Sequence, residues 1–272
     1  NVHASTAIEG NPLTLEQVRA LEEGRTLAAS EARFEREVTN YFAGLRYIEK
    51  QATIRKVRHQ HVFELHDLLA GDVMDQGEAG AYRTIGVRVG KHVPPAAADV
   101  SPLMFELLEW WNTKAVGCSA VLSSAILHYR FEHIHPFADG NGRTGRALAL
   151  WELYRRGFDS HHIFSVDEYY WENRPAYYEA LDEVRRSGED LSRWLEYSAA
   201  GLKHTLEQVW LRVQKLQTAH PEKIVLSPKQ ELLLGLIRDH GSLAPVEIRE
   251  LLGVSKQGAM NLINPLLEFG LI

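Results

Sequence analysis

The sequence predicts a mostly α-helical protein in two parts, with one short β-hairpin set among the helices. Three observations lead there. Apolar residues recur at spacings of three and four through segment after segment. One stretch, residues 82–93, instead alternates β-branched with polar side chains. A break near His220 and Pro221 sets off a final block of three short helical segments.

The helical period runs through residues 16–23 and 31–51, and again through 54–69 by way of Val57, Val62, Leu65 and Leu69. Residues 103–111, 120–133, 143–156, 174–186 and 191–217 extend the series, with Gly157 as a C-terminal stop. Between them, residues 82–93 carry Gly86 and Gly90 and run into Pro94 and Pro95, which would end any helix. Beyond residue 220, helices are expected over 228–239, 245–252 and 255–268, with a Gly253–Val254 turn and Ser255 as a cap. The expected domains are an N-terminal segment at 1–12, a main domain at 13–219 and a last module at 220–272.

Composition bounds the partners. The 272 residues are 45% hydrophobic and 24% charged, enough for a buried core and against wholesale disorder. Thirty basic and thirty-six acidic residues leave a net charge of −6, which disfavours a chain-wide polyanion surface but allows a local basic pocket. Cys118 is the single cysteine, so neither an intrachain disulfide nor a cysteine zinc site is available, and a reducing, cytoplasmic setting is expected. No apolar run approaches the roughly 18 residues of a membrane span, and residues 1–5 lack the regions of a secretory signal.

Chemistry concentrates in residues 135–146, His-Pro-Phe-Ala-Asp-Gly-Asn-Gly-Arg-Thr-Gly-Arg. Gly140, Asn141 and Gly142 precede a helix, so converging N–H groups and the helix N-terminus suit a phosphate. Arg143 and Arg146 are three apart and can share a face. Asp139 offers a hard oxygen beside such phosphates, where Mg2+ sits with one or two carboxylates. His135 is the nearby group suited to general-base work near neutrality.

This string is similar at every defined position to the Fic motif, His-Pro-Phe-x-Asp/Glu-Gly-Asn-Gly-Arg-x-x-Arg. Residues 125–134 resemble the helix that leads into it, residues 82–95 the family's hairpin flap, and Tyr177–Tyr178 the aromatic pair at the adenine end. The resemblance implies a Fic-type helical bundle with a small hairpin flap, followed here by a winged-helix-like module. It implies transfer of AMP from ATP to a Ser, Thr or Tyr hydroxyl of a protein. His135 would take the hydroxyl proton, Asp139 would hold Mg2+, and Arg146 would clamp the γ-phosphate. Gly140, Asn141, Gly142, Arg143, Thr144, Gly145 and Arg146 would contact nucleotide, joined by Val87, Arg88, Val89 and Gly90 of the flap and by Tyr177 and Tyr178. A target protein would pair its backbone with the flap from Tyr82 to Val93; self-modification and a homodimer are also compatible.

Near the start, Ser5 and Glu9 lie four apart on one face of a short helix that Ser5 could cap and Gly10 could end. The string resembles the inhibitory motif Ser/Thr-x-x-x-Glu-Gly/Asn of one class of Fic proteins. Glu9 would then form a bidentate pair with Arg146 and keep the γ-phosphate away. The same glutamate could instead position a water for removal of AMP.

Three other readings compete with this one. A nucleotide-sensing DNA-binding regulator fits the last module, but residues 221–272 hold five basic and six acidic residues, and Pro265 interrupts the recognition helix, which argues against DNA. A phosphotransferase of the Doc type is opposed by Gly142 and Arg146. A zinc hydrolase built on His128, His133, His135, His161 and His162 lacks His-Glu-x-x-His spacing. The pair His59 and His61 is expected at the surface, and Trp110, Trp111, Tyr169, Tyr170 and Trp171 in the core or an interface.

Overall fold

A computed structural model describes residues 2–28, 30–158, 165–219, 226–241, 243–268 and 271–272. Thirteen α-helices lie among the described residues: α1 (Val2–Ile8), α2 (Leu15–Glu22), α3 (Ala32–Lys50), α4 (His59–Ala70), α5 (Ala97–Thr113), α6 (Ala120–Ile134), α7 (Asn141–Arg155), α8 (Val166–Glu172), α9 (Arg174–Arg186), α10 (Ser192–Ala219), α11 (Pro228–His240), α12 (Pro245–Leu252) and α13 (Lys256–Glu268). No helix among the described residues is long and apolar enough to cross a membrane. The chain divides into two compact units, residues 1–212 and 213–272, at a point inside α10.

Helix starts follow their side chains. Thr14 closes a capping box with Gln17 ahead of α2, Ser119 accepts from the Leu122 N–H ahead of α6, and Ser227 repeats the box with Gln230 ahead of α11. The hairpin α6–α7 lies at the centre of the first unit, buried on nearly every side, so neither helix shows an apolar stripe. Trp111 of α5 and Trp151 of α7 meet edge to face at 5.6 Å. Glu152 is buried and engaged at both oxygens: Trp111 Nε1 and the Ser123 hydroxyl each donate to it at 2.6 Å. In the second unit, Leu233, Ile248, Ala259, Ile263 and Leu266 draw α11, α12 and α13 together.

The expected hairpin is corrected. Among the described residues there is no strand, and residues 82–93 hold one antiparallel bridge, Val89 with His92, closed around Gly90 at φ 57°. The reason is that this segment's polar groups pair with the loop after α6. The Arg83 N–H donates to the Pro136 carbonyl, and Tyr82 packs on Phe63 and Phe137, while Ile85 and Val93 stay exposed. The last module is likewise three helices without a wing among the described residues. A helix that periodicity did not reveal, α8, carries Tyr169, Tyr170 and Trp171. His220, Pro221, His161 and His162 lie outside the described residues.

Candidate active site

The C-terminus of α6 sets the site. His135 follows it in the left-handed region, φ 49° and ψ 62°, where its N–H still reaches the Phe131 carbonyl at 2.8 Å. Proline at 136 disfavours helix at 135, and few side chains accept a positive φ, so this turn needs holding. Arg83 holds it. The buried guanidinium donates to the carbonyls of His135 at 2.8 Å, Ile85 at 2.9 Å and Pro95 at 2.6 Å. Phe137 is fully buried and stacks on His66 at 3.6 Å.

The loop then turns into α7. Asn141 bridges it with both side-chain atoms, accepting from the Phe137 N–H at 2.9 Å and donating to the Phe137 carbonyl at 2.8 Å. Gly140, at φ 73°, could not be replaced freely, since a Cβ there would lie 2.9 Å from that of Ala70. Thr144 donates to the Gly140 carbonyl at 2.9 Å. The side chains of Asn141 and Thr144 therefore build the loop. Gly145 faces the other way, toward α6: a Cβ there would meet Glu132 Oε1 at 2.3 Å.

Beside this turn opens a cleft of about 340 Å³. Of the residues expected at the site, Glu9, Val89, Gly90, His135, Gly142, Arg146, Tyr177 and Tyr178 line it. Val87, Arg88, Asp139, Gly140, Asn141, Arg143, Thr144 and Gly145 are not among its lining residues. Glu132, Arg174, Leu181, Asp182 and Arg185 line it without having been read from the sequence. Tyr177 contributes little polar reach, because it is 2% exposed and its hydroxyl pairs with His128 Nε2 at 3.1 Å. Tyr178 is exposed, with the Arg174 guanidinium over its ring at 5.5 Å.

Arg146 is buried at the cleft floor. Its Nη2 donates to Glu9 Oε1 at 2.7 Å and to the Ser5 carbonyl at 3.0 Å, while Nε donates to the Ser5 hydroxyl at 2.7 Å. The expected bidentate pair is thus a single contact, because Ser5 holds the other edge of the fork. Ser5 does not cap α1 but sits within it; Gly10, at φ 97°, follows Glu9 beyond its end. Burial works against the Arg146 charge, and Glu9, Tyr177 and Asp167 more than offset it, so its pKa is raised. Asp167 is itself raised by burial, though Arg146 lies near. Arg143 is also buried, and its Nε and Nη1 have no hydrogen-bond partner.

Asp139 accepts from the N–H groups of Gly140 at 2.6 Å and Asp75 at 3.0 Å, one on each oxygen. Lone pairs remain, and a lone half-buried carboxylate suits Mg2+ that also takes water and substrate phosphate oxygens. Among the described residues no group of three or more His, Cys, Asp or Glu is placed to hold a metal by itself. His59 and His61 are half-buried rather than superficial, His59 against the Tyr82 hydroxyl at 2.8 Å and His61 accepting from the Arg58 N–H at 2.9 Å.

Glu132 is the unexpected carboxylate. It is buried one turn before His135, with Oε2 3.6 Å from His135 Nδ1. Burial raises its pKa, but His135, His128 and Arg146 prevail and hold it below the usual range.

Two buried histidines predict acid sensitivity. Burial pushes both His66 and His128 down to about 4. His66 Nδ1 accepts from the Gly80 N–H at 2.9 Å, and Nε2 lies 2.9 Å from the Asp139 carbonyl, which fits a neutral ring. A depressed folded-state pKa means the unfolded chain binds the proton first. The stability is therefore intact above pH 6.5 and lost as pH falls toward 4. Urea melts at pH 7 and pH 5 should differ by about 2 kcal/mol for each histidine, and His66→Gln or His128→Gln should flatten the slope.

The helical bundle gathers a histidine, a glycine at a helix start and a buried arginine around one cleft. A sequence profile described as the Fic/DOC family matches residues 56–153. A Fic family protein of Desulfovibrio desulfuricans G20 superposes with a TM-score of 0.68 at 30% identity, over 98% of this chain and 78% of that one. The chain belongs to the Fic family. Proteins named protein adenylyltransferase Fic are 33% identical over 211 residues in Aedes aegypti and 30% identical over 247 residues in Culex quinquefasciatus. These alignments cover 76% and 89% of this chain but 40% and 47% of the relatives, so the chain spans less than half the length of either.

Proposed function

We propose that this chain transfers AMP from ATP to a Ser, Thr or Tyr hydroxyl of a protein, and that Glu9 holds the reaction back. The observation that carries this reading is the grouping of His135, Gly142 and Arg146 on one cleft with Glu9 seated on Arg146. Relatives named as protein adenylyltransferases support it. The target oxygen would attack the α-phosphorus as His135 takes its proton, and the bond to the β-phosphate would break to release pyrophosphate. Arg146 would orient the γ-phosphate, with Tyr178 and Leu181 toward the base. Mg2+ bound at Asp139 would neutralise charge on the α- and β-phosphates.

The segment from Tyr82 to Val93 would pair its backbone with an extended target segment, whether of another protein or of a second copy of this chain. We read residues 1–12 as the inhibitory segment, 13–219 as the catalytic part and 220–272 as an appended module.

The test uses α-labelled and γ-labelled ATP with Mg2+. Label retained on protein from the α position alone, and lost with His135→Ala, is the expected result. Retention of γ-label would mean phosphoryl transfer and overturn the reading.

A further inference from the structure

We propose that Glu132 is the positioning residue of His135, a buried carboxylate that takes the Nδ1 proton as partner and leaves the Nε2 lone pair facing the cleft. The inference rests on the AMP-transfer reading of this site. Four observations carry it. The two side chains are 9% and 15% exposed, and Oε2 stands 3.6 Å from Nδ1. Neither His135 Nδ1 nor Glu132 Oε1 has any hydrogen-bond partner, although both atoms are buried. No lysine or arginine forms a salt bridge with Glu132 among the described residues, and its one ion-pair contact there is with His135. The opposite helix is cut back to admit the carboxylate, for a Cβ on Gly145 would stand 2.3 Å from Oε1 and 3.3 Å from Cδ.

The chemistry follows from the two ring nitrogens. A neutral imidazole carries one proton, and whichever nitrogen holds it cannot act as a base. An ionised carboxylate only accepts, so beside Nδ1 it selects the Nδ1–H form. It also stabilises the imidazolium that forms once Nε2 has taken the target hydroxyl's proton. The gap of 3.6 Å is slightly longer than a hydrogen bond, and such contacts tighten when substrate loads. The turn of His135 out of α6 at φ 49° brings its ring back over the residue one turn earlier.

The experiment is imidazole ¹⁵N NMR on the free protein at a pH where His135 is neutral, with transfer kinetics alongside in a Glu9→Gly background. Wild type should show the Nδ1–H form. Glu132→Gln keeps the volume but can turn its amide N–H toward Nδ1, and should move the ring toward Nε2–H. It should lower kcat about 100-fold, with the Kd of ATP unchanged within about twofold. Gly145→Ala, which displaces the carboxylate while leaving both groups present, should produce the same spectral change. A His135 tautomer unaltered in Glu132→Gln, or a loss confined to ATP binding, overturns the proposal. Failure of the Glu9→Gly protein to retain α-label would sink the transfer reading instead, and the spectra would still decide the pairing.

Discussion

Glu9→Gly should raise incorporation of α-label into protein about 100-fold over wild type at equal ATP. Glu9 Oε1 sits 2.7 Å from Arg146 Nη2, and both residues line the cleft. A charged hydrogen bond of this kind is worth about 1.5–3 kcal/mol, and each 1.4 kcal/mol is tenfold. The carboxylate also lies against Gly142, where a Cβ would meet it at 2.3 Å, so it stands where the helix start would receive phosphate. The variant should fold. Glu9 is 33% exposed, and Arg146 keeps both of its contacts to Ser5. Glu9→Gln, which retains shape without charge, should fall between the two. Incorporation that stays at the wild-type level in Glu9→Gly would remove the glutamate from regulation.

Arg83→Ala should have the largest combined effect on stability and rate of any change outside the cleft. Besides the three short contacts already described, Nη2 reaches the Ile134 carbonyl at 3.4 Å. Truncation leaves these carbonyls without their donor, and an unsatisfied buried group costs about 1–3 kcal/mol. A total loss of about 4 kcal/mol in urea denaturation is expected, since water will satisfy some of them. The same carbonyls define the reversal at His135, and a misplacement near 1 Å is enough for about a 100-fold fall in rate. Arg83→Lys should recover little, because a point charge cannot span carbonyls from three segments. Wild-type stability and transfer in Arg83→Lys would show that the fork geometry is irrelevant.

Residues 135–146 were legible because the chemistry is contiguous. What the string concealed was helical phase. Gly142 and Arg146 are one turn apart and share the cleft face, whereas Asn141, Thr144 and Gly145 point back into the loop and α6. Arg83 left no trace in the sequence, since its acceptors are backbone carbonyls, two of them more than fifty positions away. Glu132 was hidden for a related reason. It read as one more charge on a helix, and only the turn at His135 and the missing side chain of Gly145 give it a partner and a niche. The alternation in residues 82–93 suggested cross-strand pairing, but their polar groups turn to the His135 loop.

The way α1 is seated bears on how any release must occur. Val2, Ala4, Ser5, Thr6, Ala7 and Ile8 are all buried, and Ile8 packs among Ala125, Tyr129, Tyr177 and Trp194. Just past Glu9, Asn11 is tied to α3 through the Phe34 carbonyl and Glu37. Undocking this segment would tear out part of the interior that supports Tyr177. Glu9 can leave Arg146 only by swinging its own side chain into the cleft mouth, over a backbone fastened on both sides. Such rotations take picoseconds to nanoseconds. On the proposed reading, residual activity in the wild type would be a standing leak, set by how often one rotamer is vacated, and an activator would need only to bias that frequency.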